Sequence, residues 1–227
     1  MKNSLMSTFL IVGMVAAPAA ILAKSEPPEI SLEGLELVEN GGRGELYADP
    51  DIDWSVYDKV QLDKATVAFR KNWQRDQNRS LTFTVKAADM EKIKTGLSEL
   101  FDQVFTEELS SNGGYEITGD SGDNVMRITP RIVDLDVAAP DTQSAGVRSY
   151  VGSAGSAGKM TLKLEIYDSV TGDLIVTASD RQEAYRYPDR MVTRTTSVTN
   201  SAEARRMMRR WATALRERLD EARNLPN

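Results

Sequence analysis

The chain has 227 residues, a net charge of −6 and neither Cys nor His. That composition excludes disulfides, thiolate nucleophiles and imidazole bases, and it removes the commonest zinc, copper and haem ligands. The acidic balance speaks against a nucleic-acid partner, because binding to a phosphate backbone rests on Lys and Arg. No cofactor or metal is expected.

The chain opens "MKNSLMSTFLIVGMVAAPAAILAKSEPPE", with Lys2 before an apolar run from Phe9 to Val15 and then an Ala-rich stretch to Ala23. This is the pattern of a secretory signal peptide over residues 1–23. Cleavage after Ala23 competes with cleavage after Ala19. The other reading is an uncleaved anchor, since Leu5 to Ala23 is just long enough to span a bilayer, but Ser7, Thr8, Gly13 and Pro18 weaken it as a spanning helix. No later segment has the length and apolarity of a span. Residues 24–33, rich in Pro and Glu, read as an extended linker, and residues 34–225 as a single folded domain.

From Leu35 to "YADPDIDW" the chain reads as loop, followed by strand candidates at "DKVQLD" and "ATVAFRKNW". Met90, Ile93, Leu97, Leu100, Phe101, Val104 and Leu109 then recur at helical spacing, which predicts an amphipathic helix from Ala87 to Leu109 that stops near Gly113 and Gly114. "NVMRITPRIVDLDVAAP" predicts a long strand whose apolar parity changes around Pro130, as a bulge or an edge position there would require. Met160, Leu162, Leu164 and Ile166 alternate with polar residues, the pattern of a strand with one buried face. "DSVTGD", with Gly172, makes a hairpin loop to "LIVTASDRQEAY". Ala204, Met207, Met208, Trp211, Leu215, Leu219 and Ala222 mark the apolar face of a C-terminal helix. The order predicts an α+β fold, a mainly antiparallel sheet with two amphipathic helices packed on one face.

The suggestive motifs fail in context. "SYVGSAGSAGK" ends in Gly158-Lys159, but Ser153 stands where a P-loop needs its first Gly, Met160 follows the Lys, and the segment leaves into a strand instead of a helix. Ser156 to Lys159 matches S-x-x-K and Lys94 to Gly96 matches K-T-G, but structural context and order are reversed relative to the penicillin-binding enzymes. Asp49, Asp51 and Asp53 alternate like the start of a calcium loop, with Trp54 and Val60 where Gly and Glu are required. The C-terminal helix carries Arg205, Arg206, Arg209, Arg210, Arg216, Arg218 and Arg223. Such a helix fits an anionic lipid surface or an acidic partner, but its stripe centred on Trp211 better fits docking on a sheet, with the arginines as a solvated face that attracts anions.

The run "GLELVENGGRGELYADPDIDWSVYDKVQLDKATVAFRKNWQRDQNR", with the later "GSAGKMTLKLEIYDSVTGDLIVTASDRQ", resembles the bacterial lipoprotein family catalogued as domain of unknown function 3313, over about Gly34 to Arg223. The resemblance implies an exported envelope protein and carries no functional residues. Because "AILAKS" has no Cys, it implies a soluble periplasmic form instead of a lipid-anchored one. The function expected is that of a non-catalytic module binding an unidentified envelope protein or polymer. The long connection from Pro140 to Gly158 offers Arg148, Tyr150 and Lys159 as partner-binding candidates. The rival is a hydrolase of envelope polymers using Asp134 and Asp136, which alternate spacing points to one face.

Overall fold

The computed structural model describes residues 27–80, 84–137, 158–184 and 197–224. Its strands are β1 (Glu36–Gly41), β2 (Gly44–Ala48), β3 (Lys59–Leu62), β4 (Thr66–Phe69), β5 (Glu116–Ile117), β6 (Val125–Val137), β7 (Gly158–Asp168) and β8 (Leu174–Glu183). The helices are α1 (Trp73–Ser80), α2 (Ala87–Ser110) and α3 (Ser197–Arg223). All eight strands join one sheet in the order β1-β2-β8-β7-β6-β3-β5, with β4 also paired to β6.

The α+β class holds, but the sheet is mixed and a third helix is present. β1, β2, β8, β7 and β6 run antiparallel, with short connections only within the β1-β2 and β7-β8 pairs, whereas β3 and β4 pair parallel with β6, and β5 pairs parallel with β3. Parallel neighbours need a crossover. Here α1 and α2 lie in the chain between β4 and β5 and supply it. Trp73, at the end of the predicted second strand, instead opens α1. Its ring stacks on Phe69 at 4.2 Å, and its indole N–H donates to the Val137 carbonyl.

The stretch from Leu35 to Ala48, expected as loop, forms the β1-β2 hairpin, and Gly44 sits where β2 meets β8. A Cβ at Gly44 would collide with the backbone carbonyl of Ser179, so the close approach of these strands needs the glycine.

The parity change in β6 is real, but it lies beyond Pro130. The irregularity falls between Val133 and Asp136, where Asp134 takes φ +52. Pro130 stays in register opposite Leu164. On its other edge β6 pairs with β3 up to Ile128 and with β4 from Arg131. Asp63 N–H donates to the Ile128 carbonyl, so Ile128 turns its polar backbone toward β3, and Pro130, two residues on, turns the same way. Its missing N–H therefore faces the gap between β3 and β4, where no ladder bond is lost.

One apolar face of the sheet, including Ile128, Ile132, Leu162, Leu164 and Ile166, packs against α2 and α3 in a single buried cluster. α2 contributes Phe101 and Phe105, stacked at 3.8 Å, and α3 contributes Met208, Trp211 and Ala212. Docking of α3 against the core is therefore observed. Arg216 of α3 donates to the carbonyls of Leu109 and Ser111 at 2.9 and 3.0 Å, capping the C-terminal end of α2. Arg216 and Arg223 also lie over the Tyr115 ring.

Candidate functional site

Antiparallel pairing aligns small and aliphatic residues on one side of the β2-β8-β7 surface. Leu46 pairs with Ala178, Ala178 with Leu164, and Ala48 with Val176, so these side chains share a face. α3 crosses above this face, and between helix and sheet lies a cleft of about 1600 Å³. Its floor is hydrocarbon, including Leu46, Leu162, Leu164, Val176 and Ala178, and the loop residues Ile52 and Trp54 also line it. Along α3 the lining residues include Ala202, Ala214 and Ala222, whose short side chains leave the space open.

One end is polar. Asp180 accepts from the Trp211 indole N–H at 2.8 Å and from Gln182 Nε2 at 2.9 Å, and Arg210 Nε donates to Gln182 Oε1 at 2.7 Å. This chain of bonds fixes the Trp211 ring and aims the Arg210 guanidinium from a buried base, since Gln182 is itself buried. Arg206 and Arg209 stand beside it on α3, and Arg43 in the hairpin turn also lines the cleft. Farther along, Arg218 of α3 and Glu39 of β1 form an ion pair between helix and hairpin.

The arginines thus divide by role. Arg216 and Arg223 serve the fold, Arg205 donates to Gln103 of α2, Arg206 pairs with Glu203 at 2.7 Å, and Arg209 and Arg43 make no side-chain hydrogen bond or ion pair among the described residues.

Lys159, the one candidate of the long connection that falls within the described residues, stands at the start of β7 opposite Asp136, with Nζ 3.7 Å from Asp136 Oδ2. It borders a second, smaller cavity of about 230 Å³ between α2, α3 and the β6-β7 pair. Arg148 and Tyr150 lie outside the described residues. Asp136 also borders this cavity, and its Oδ2 accepts from Arg70 Nε at 2.9 Å. Arg70 in turn donates to Asp76 at 2.7 Å, which holds the Asp76 carboxyl below the usual carboxylate range, and the ion pairs tie β4 and α1 to β6. Of the alternating acids, Asp49 accepts from Asp51 N–H and Asp53 caps the 3₁₀ turn Trp54–Val56, so both serve as turn formers.

A family model described as protein of unknown function, DUF3313, matches residues 30–215. The chain belongs to this family. No curated protein matches the DUF3313 chain. Among solved structures, PelC from Paraburkholderia phytofirmans, crystallised as a dodecamer, is similar over 76% of this chain and 97% of that one, at 10% identity and a TM-score of 0.37. A PDZ domain protein from Parabacteroides distasonis is similar over 76% of this chain and 35% of that one, at 8% identity and a TM-score of 0.39. Likeness at this level transfers neither a partner nor an assembly state to the DUF3313 chain. Among the described residues no helix is long and apolar enough to cross a membrane, which leaves strand-built spans unaddressed.

Sequence reasoning misses the cleft because one part of its wall, the β1-β2 hairpin, reads as loop. The available signal was the pair of short runs flanking Asn40-Gly41-Gly42-Arg43, a turn composition that favours hairpins.

Proposed function

We propose that this DUF3313 protein is an exported, periplasmic, non-catalytic binding module of the cell envelope, and that its binding site is the cleft under α3. The cleft itself carries this reading: a large concave surface with an apolar floor and a few convergent polar groups is the usual form of a binding site. Its polar groups Asp180, Gln182 and Trp211 satisfy one another, which rigidifies that end of the cleft. The leader sequence supports export and the absence of a leader Cys supports a soluble form. The hydrolase reading has less support, because Asp136 is engaged by Arg70 and Asp134 sits at a backbone irregularity.

Nile red, a neutral apolar dye, tests the cleft. The purified mature protein should bind it saturably, and Ala178→Phe, which fills the floor, should abolish binding while leaving the melting temperature nearly unchanged. Undiminished binding by this variant would refute the site. Export is tested separately by the intact mass of the native protein, which should lack the leader through Ala19 or Ala23.

A further inference from the structure

At the polar end of the cleft several arginines stand beside a single bonded carboxylate, Asp180. Arg205 and Arg209, and likewise Arg206 and Arg210, are spaced i,i+4 on α3, and Arg206 and Arg209 are spaced i,i+3. Like charges so placed repel along a helix. Glu203 offsets one of them through Arg206, Arg210 donates to Gln182, which in turn donates to the Asp180 carboxylate, and Arg209 and Arg43 make no side-chain hydrogen bond or ion pair among the described residues. Arg43, Arg206, Arg209 and Arg210 thus line the cleft beside a hydrocarbon floor, with Asp180 among them and other lining acids, such as Glu217 and Glu221, farther along α3. A guanidinium fork matches phosphate oxygens two at a time.

Size and shape narrow the occupant further. At about 1600 Å³ the cleft exceeds the roughly 300–1,000 Å³ typical of small-metabolite sites. Its floor is the side-chain face of β2, β8 and β7, which already pair with one another, so the floor offers no backbone ladder to an extended peptide. Hydrocarbon chains need no such partners. Polar groups gathered at one end and aliphatic residues along the floor match a ligand with a head and tails.

We infer that the cleft binds a single anionic phospholipid, its two acyl chains on the Leu46-Ala178-Leu164 floor and its phosphate at Arg206, Arg209, Arg210 and Arg43. This rests on the cleft being a binding site, and it adds the ligand class.

The test uses the mature protein and its intrinsic tryptophan fluorescence, to which Trp54 and Trp211 of the cleft contribute, with two lipids kept below their micelle concentrations: diheptanoylphosphatidylglycerol, which is anionic, and diheptanoylphosphatidylcholine, which has the same chains and no net charge. The anionic phosphatidylglycerol should bind at least about tenfold more tightly, a preference that salt should weaken. Arg206→Glu combined with Arg209→Glu, both exposed positions, should erase the preference while Nile red still binds. Inorganic phosphate should not displace the lipid. Equal affinity for the two lipids, or a preference that survives the double variant, would overturn the inference, as would displacement by phosphate alone, which would indicate a simple anion site. Nile red binding without lipid binding would overturn the ligand class and leave the cleft standing. Failure of both would remove the site as well.

Discussion

Beneath α2 the sheet is closed by large side chains: Phe101, Phe105, Ile128 and Ile132 are all fully buried in one cluster. Beneath α3, on the β1-β2-β8 side, the same sheet meets Trp211, Leu215 and Leu219 interspersed with alanines and arginines, and a cleft remains. Both regions have an apolar sheet face, so periodicity makes them look alike. What differs is the volume the covering helix brings. The packed half carries stability, and the open half is free to carry binding.

That contrast sets the expected responses. Phe105→Ala should cost about 3–5 kcal/mol in chemical denaturation, because it empties a filled site. A loss below about 1 kcal/mol would mean that the α2 side is also loose. Asp168→Ala should cost about 2 kcal/mol, since Asp168 accepts from the hydroxyl of the buried Tyr57 and from the backbone N–H groups of Val170 and Thr171. Burial opposes ionisation of Asp168, but bonds from Thr171, Tyr57 and Val170 outweigh it and hold its carboxyl below the usual range. A depressed carboxylate contributes stability that is fully present above its unfolded pKa of about 3.9 and is lost as pH falls through the lower folded value. Stability of the native protein should therefore decline below about pH 4, and Asp168→Ala should show a shallower decline, as followed by denaturation at stepped pH. Smallest of all, Ala178→Phe in the open half should change stability by less than about 1 kcal/mol, because the added ring enters empty space and need not displace packed neighbours. A loss matching that of Phe105→Ala would erase the distinction between the halves.

Much of the packed half was legible in the sequence. The spacing from Met90 to Leu109 located α2, and the alternation from Met160 to Ile166 located β7, because each element buries one face in the cluster that stabilises it. The parallel pairing of β3 and β4 was not legible, since side-chain periodicity is indifferent to the direction of a neighbouring strand. The sequence points to Pro130 instead of Asp134 because the parity change is visible in sequence but a positive φ at Asp134 is not. The hairpin escaped because β1, at the sheet edge, is almost wholly exposed and shows no apolar alternation. With the hairpin unread, the cleft was out of reach, since a cavity is defined by the separation of α3 from Leu46 and Ala178 and not by any one segment.

The central claim is that one sheet supports a filled core on its α2 side and a binding cleft on its α3 side. Methyl-detected NMR of protein labelled at Ile, Leu, Val and Met, titrated with Nile red, tests it most directly. The account predicts shifts confined to the methyls of Leu46, Leu164, Val176 and Leu215, with those of Val104, Ile128 and Ile132 unmoved. Shifts centred on the latter group, or none anywhere at saturating dye, would contradict it.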